Sequence, residues 1–163
     1  MSVVVYNFIS GSSTRDQTEH QTFISFTARI LEAINPTASV CILALLLVKR
    51  LSDTTQLIGA KGFELRILLT ALIISDSVLN DNAFDNTSWT ALSGISGKEL
   101  SLLKFDFLDR IGYRTYCSRE RFQGWIFDLE YYLRHSVFPC SYRFQKVVDG
   151  VQGVLSSRVR LLR

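Results

Sequence analysis

Residues 65–79 read LRILLTALIISDSVL, and no other stretch restricts the fold as tightly. Leu65, Ile67, Leu68, Leu69, Leu72, Ile73, Ile74, Val78 and Leu79 reach every side of a helical wheel. A helix that is apolar all round offers no face to water, so it is wrapped by other helices or lies in lipid. At the standard rise per residue it is about 22 Å long. Arg66, Ser75, Asp76 and Ser77 interrupt it, and the unbroken apolar run is too short for a bilayer. The expectation is an all-α fold with this helix as its central post.

The rest of the chain supplies the wrapping. In residues 21–34, Phe23, Ile24, Phe26, Ile30, Leu31 and Ile34 recur at three- and four-residue spacing, which makes one apolar helix face. Asn35-Pro36 ends that helix, because a residue before proline avoids the helical region. Residues 37–51 contain VCILALLLV, whose Ala and Leu content favours a helix. Thr37 or Ser39 can cap its start, and Lys49-Arg50 suit a C-terminus. A polar loop is expected over 52–62, then the central helix over 63–79.

Residues 80–97 form a long connection rich in Asn, Asp and Ser, anchored by Phe84, Trp89, Leu92 and Ile95, with a short helix at 88–92. Ser96 and Glu99 match a capping box ahead of a helix over 98–111, which keeps the stripe Leu100, Leu103, Phe107 and Ile111. Gly112 stops it. A helix over 118–134 buries Phe122, Trp125, Ile126, Leu129 and Leu133. After Pro139 one more helix is expected over 142–155, and the end is basic and frayed. Two prolines and nine glycines in 163 residues fit long helices better than many strands.

The same residues exclude several chemistries. Cys41, Cys117 and Cys140 are odd in number and widely spaced, which reads as free thiols in a reducing compartment. His20 and His135 stand alone, and no phosphate loop, nucleophile elbow or metal-spaced cluster is present. Neither catalysis nor a metal or cofactor is expected. MSVVVYNFIS lacks the basic start of a signal peptide, so the expected location is cytoplasmic or nuclear. A mixed net charge of +3 points to neither nucleic acid nor membrane as partner.

In order, these pieces resemble the cyclin box. LALLLVKRL (43–51) resembles the second-helix signature of the P/U-type cyclins, the group that includes the yeast phosphate-regulon cyclin: L-A-L, apolar residues, an acidic residue, then R-L. LRILLTALII (65–74) resembles their third helix, which begins H-R-L-L and continues T-A/S. NTSWTALSGISGKEL (86–100) is similar to their loop with an Asn, an aromatic pair, G-G-[IV]-S and E-L. FLDRIGYRTYCSRERF (107–122) resembles the stretch F-L, spacer, L-D-[FY]-x-L that enters the fifth helix, with its E-x-F. Order and spacing agree from about residue 23 to residue 133.

The resemblance implies a five-helix box over 21–135, between extensions at 1–20 and 136–163, and a monomer when free. It implies a regulatory subunit that binds and activates a cyclin-dependent protein kinase and does no chemistry itself. Helices three and five, with the segment entering the fifth, would press on the kinase's mobile regulatory helix. The effect is a population shift, through tighter binding of the active form.

Carried over by position, the contact residues are Ser77, Val78, Asn80, Asp81, Lys104, Leu108 and Tyr113. Ser77 stands where the family has a Lys, Lys104 where it has a Glu, and Lys49 where it has an Asp before R-L. Asn80-Asp81 keeps half of an acidic pair. Two readings stay open: a kinase interface rewired through Lys104, or a scaffold whose charges drifted because no kinase grips them. The general transcription factor IIB group uses a similar box on DNA, but no basic face marks any helix here. Ala28-Arg29-Ile30-Leu31 only partly matches the substrate-docking motif of some cyclins, and its Trp is missing. Trp89 and Trp125 read as packing residues.

Overall fold

The computed structural model describes residues 17–54 and 63–135. Six helices lie in them: α1 (Gln17–Ile34), α2 (Ala38–Thr54), α3 (Phe63–Leu79), α4 (Asn86–Ser93), α5 (Gly97–Arg110) and α6 (Arg119–His135). No strand occurs among the described residues. The expected N-terminal appendage before residue 17, the helix over 142–155, Cys140 and the basic end lie outside them. The chain divides into two compact units, Met1–Cys117 and Ser118–Arg163; α1–α5 belong to the first and α6 to the second.

Helix α3 keeps its expected bounds and is the post of the first unit. Every residue from 67 to 76 is buried, and α3 packs on α1, α2 and α5. Its main neighbour, α2, buries Val40 through Leu45, then Leu47, Val48 and Leu51. Each fully buried Leu or Ile contributes about 1.5–3 kcal/mol, so this two-helix contact holds the unit together. Cys41 lies within it, and burial pushes its thiol up to about 11. No helix of the described residues is long and apolar enough to cross a membrane.

The helix ends show where polar residues extended what apolar spacing had delimited. Helix α1 begins at Gln17 rather than 21, and the Thr22 hydroxyl donates to the Thr18 carbonyl at 2.8 Å in this polar first turn. Phe23, Thr27, Ile30 and Ile34 are its buried stripe. It ends as expected at Asn35, which takes a left-handed φ of 41° and donates to the Leu31 carbonyl at 3.0 Å; Asn tolerates that conformation better than most residues.

Thr37 does cap α2, its hydroxyl accepting from the Val40 N–H at 3.4 Å. Helix α2 then runs to Thr54, so residues 52–54 are helix and not loop. Lys49 pairs with Asp53 one turn on, Ser52 donates to the Lys49 carbonyl at 2.7 Å, and Thr54 to the Leu51 carbonyl at 3.0 Å. These side chains satisfy the last turn themselves.

The short helix expected at 88–92 is an eight-residue helix, α4. Asp85 caps it, accepting from the Ser88 N–H at 2.8 Å, and Gly94 closes it in the left-handed region at φ 74°. Trp89 is fully buried and meets Phe84 edge to face, centroids 6.0 Å apart. Helix α5 starts one residue before the expected 98, with Ser96 as cap accepting from the Glu99 N–H at 3.2 Å. The box is only half made: the Glu99 carboxylate takes the Arg66 guanidinium at 3.0 Å, fastening α5 to α3. Leu100, Phe107 and Ile111 are buried and Leu103 is half-buried.

In the second unit, Ser118 caps α6 by accepting from the Arg121 N–H at 3.4 Å. Its own N–H and the Ser118 hydroxyl hold the Glu120 carboxyl below its usual range. Trp125, Ile126 and Leu129 are buried, and Phe122 is half-buried. The side chain of Leu133 is outside the described residues.

Candidate partner-binding surface

The seven sequence-derived positions fall on three pieces of the first unit: the last turn of α3 with the residues after it, the middle of α5, and the turn that leaves α5. Helix α3 packs on α5, so the first two pieces belong to neighbouring helices.

At the end of α3, burial stops abruptly after Asp76, and Ser77, Val78 and Leu79 are exposed. Val78 is 47% exposed. The Ser77 hydroxyl is turned back to its own helix, donating to the Ile73 carbonyl at 2.9 Å. Asn80 is half-buried and Asp81 exposed. What shapes this segment is Asp76, which is only 5% exposed. Its carboxylate accepts from the Asn80 side-chain amide and from the Phe84 N–H at 3.0 Å. A buried carboxylate is tolerated when donors compensate it; here both donors come from the turn it organises.

On α5, Lys104 is half-buried and donates to the Asn86 side-chain carbonyl at 2.7 Å, which ties α5 to the start of α4. The Asp106 carboxylate, two residues on, takes Arg110 at 2.8 Å and raises that guanidinium's pKa. Ser77 and Lys104 thus hold different partners and not each other. Leu108, one turn after Lys104, is half-buried.

The turn leaving α5 is a Schellman closure. The Gly112 N–H bonds the Asp109 carbonyl at 2.9 Å and the Tyr113 N–H bonds the Leu108 carbonyl at 2.8 Å, the pairing that defines that motif. Gly112 and Tyr113 both take positive φ, 61° and 55°. Leu108 and Tyr113 are therefore the two positions of the motif that often meet through an apolar contact. Tyr113 stays 56% exposed. Beyond it, Arg50 of α2 donates to the carbonyls of Arg114 and of Tyr116, the latter at 3.2 Å.

Sequence reasoning missed four features here. Asp76 was read as an interruption of the apolar run, though a carboxylate four residues before Asn80 is a signal. Phe84 is an anchor through its contact with Trp89, yet sequence spacing gives no sign that its other face stays in solvent. Leu102 and Phe105 sit off the stripe Leu100–Leu103–Phe107 and are exposed on the outer side of α5, Phe105 at 63%. Tyr116, exposed at 81%, and its link to Arg50 left no local trace. No cluster of three or more His, Cys, Asp or Glu residues able to hold a metal ion occurs among the described residues.

The profile of the family described as Cyclin matches residues 17–115, the span that holds α1–α5. Cyclin-U4-3 of Arabidopsis thaliana is 26% identical over 102 residues, 62% of this chain and 47% of that protein. PHO85 cyclin-5 of Saccharomyces cerevisiae is 35% identical over 60 residues, 37% of this chain and 26% of its own. The G1/S-specific cyclin pas1 of Schizosaccharomyces pombe is 25% identical over 131 residues, 76% of this chain and 32% of its own. The chain spans about half the length of the first two plant relatives it matches. No solved structure matches it significantly.

Proposed function

The chain belongs to the cyclin family, and from that premise we propose that it is the regulatory subunit of a cyclin-dependent protein kinase, which it binds and activates. The observation that carries the reading is apolar and aromatic exposure at two places, Val78 at the end of α3 and Tyr113 at the exit of α5. Each stands next to a turn held by side-chain hydrogen bonds, the first by Asp76 and the second by Arg50. Apolar anchors of this kind dominate most interfaces, and exposed rim charges count for less. Names such as PHO85 cyclin-5 for a relative agree with a kinase as the partner.

In this reading Val78, Leu108 and Tyr113 are the anchors. Ser77, Asn80, Asp81 and Lys104 are the polar rim, with Lys104 as its cation. In this reading the box runs over 21–135 and includes α6, while the family profile matches residues 17–115. A cyclin acts by selecting the kinase conformation in which the ion pair and activation loop are set for phosphoryl transfer.

A second reading, a cyclin-fold scaffold that activates nothing, is favoured by one observation. All three altered positions hold partners inside the chain: Lys49 with Asp53, Ser77 with the Ile73 carbonyl and Lys104 with Asn86. The test is binding to, and activation of, purified cyclin-dependent kinases from the same organism. Leu108→Asp places a charge at a half-buried anchor and is expected to weaken binding by more than about tenfold. Ser77→Ala is expected to leave it within about twofold, because it removes only an internal hydroxyl bond. Equal losses would sink this map, and binding without activation would leave the scaffold reading in its place.

A further inference from the structure

We propose that Arg50 is a positioning residue for the aromatic edge at Tyr113 and Tyr116: from α2 it holds the chain leaving α5 in the shape that keeps both rings in solvent. The identity of the partner rests on the kinase reading; the positioning itself does not.

Four observations converge on this. Residues 112–117 carry no regular secondary structure and contain two consecutive left-handed residues, one of them a tyrosine. A non-glycine residue there costs energy and persists only where its surroundings over-determine it. The segment's own bonds account for its first half: Gly112, Tyr113 and Arg114 donate to the carbonyls of Asp109, Leu108 and Ile111, and Thr115 to that of Tyr113. The second half is held by Arg50, 64 and 66 positions away in sequence, on the carbonyls of Arg114 and Tyr116.

The chemistry suits the task. A guanidinium is a planar fork with several donors in fixed geometry, and the two terminal nitrogens of Arg50 take one carbonyl each. One arginine can therefore seize residues 114 and 116 together. With their carbonyls drawn toward α2, the rings of Tyr113 and Tyr116 remain 56% and 81% exposed. A lysine ammonium is a compact point charge and would not reproduce the fork.

The experiment uses the full chain and Arg50→Gln, Arg50→Lys, Tyr113→Ala and the double variant Arg50→Gln/Tyr113→Ala. Hydrogen exchange read by mass spectrometry is expected to speed up by about tenfold in 112–117 for Arg50→Gln, since bonds to charged groups are the stronger ones. Protection of 40–48 in α2 is expected to stay unchanged, and Arg50→Lys to restore only part of the loss. Against the kinase, Arg50→Gln and Tyr113→Ala are each expected to weaken binding, and the double variant to lose little more than the worse single one. That non-additivity is the mark of residues acting through one another. Unchanged exchange at 112–117, equal loosening throughout α2, or additive binding losses would overturn the proposal. If the unaltered chain binds no cyclin-dependent kinase, the functional reading fails, while the exchange result still decides whether Arg50 positions the segment.

Discussion

Two irregular segments of the first unit, one after α3 and one after α5, are held by opposite means. After α3, residues 80–84 are gathered by a buried anion, Asp76, taking donors from its own vicinity. After α5, residues 112–117 are gathered by a half-buried cation, Arg50, through solvent-exposed hydrogen bonds to carbonyls more than sixty positions away. The first arrangement is local and dry; the second is long-range and wet. A buried charge must be fully compensated or it unfolds what surrounds it, so the α3 clamp is bound up with global stability. A solvent-exposed clamp can be lost while the core stands, so the α5 clamp governs local shape.

The largest effect that would break this contrast is at Asp76. Asp76→Ala removes a charged acceptor from two donors, and unfolding by urea is expected to show a loss of about 3 kcal/mol; a loss below that of the α5 variants would erase the distinction. Next is Gly112→Val, which forces a β-branched residue into φ 61°. A Cβ there meets only the Arg114 side chain at an ordinary 3.9 Å, so the cost is backbone strain, about 1–2 kcal/mol. Arg50→Gln is expected to change global stability by less than about 1 kcal/mol, as for other exposed pairs, although it loosens 112–117.

The smallest effect is in acid. Asp85, which caps α4 beyond the α3 segment, has its carboxyl held below its ordinary 3.8, first by the Ser88 hydroxyl and then by the Ser88 N–H. A lowered folded-state value means the cap contributes above 3.8 and is lost as pH falls through the lowered value. Exchange in α4 is expected to quicken there, to lose that pH dependence in Asp85→Asn, and to leave 112–117 unaffected.

The contrast also explains what could be read from the sequence. The bounds of α3, the break at Asn35-Pro36, the Thr37 and Ser96 caps and the stop at Gly112 were legible because each is a short-range rule. The last turn of α2 and the first of α1 were not, because polar side chains bonding back to carbonyls leave no apolar stripe. Asp85 went unnoticed as a cap although Ser88 follows it three residues on, the usual spacing for a side-chain oxygen that meets an N–H. Glu99 looked like a capping-box partner and is one by spacing, but Arg66 offers it a cation from another helix. The outward Leu102 and Phe105 were visible only as residues absent from the buried stripe, and Arg50's target was beyond any local pattern. The family resemblance carried the proposed contact positions; the residues that hold the neighbouring turns came from the fold.

The two tryptophans supply one consequence of a different kind. Trp89 is sealed inside the first unit, its indole N–H without a partner among the described residues, and Trp125 belongs to the second. The chain has no others. Each unit thus carries one tryptophan, excited at wavelengths where tyrosine is silent. In Trp125→Phe the emission comes from the first unit alone, and its blue-shifted band moves red when the core around α4 opens. In Trp89→Phe it comes from the second unit alone. Two denaturation curves from two single-tryptophan proteins then measure whether the units melt as one cooperative body or in succession.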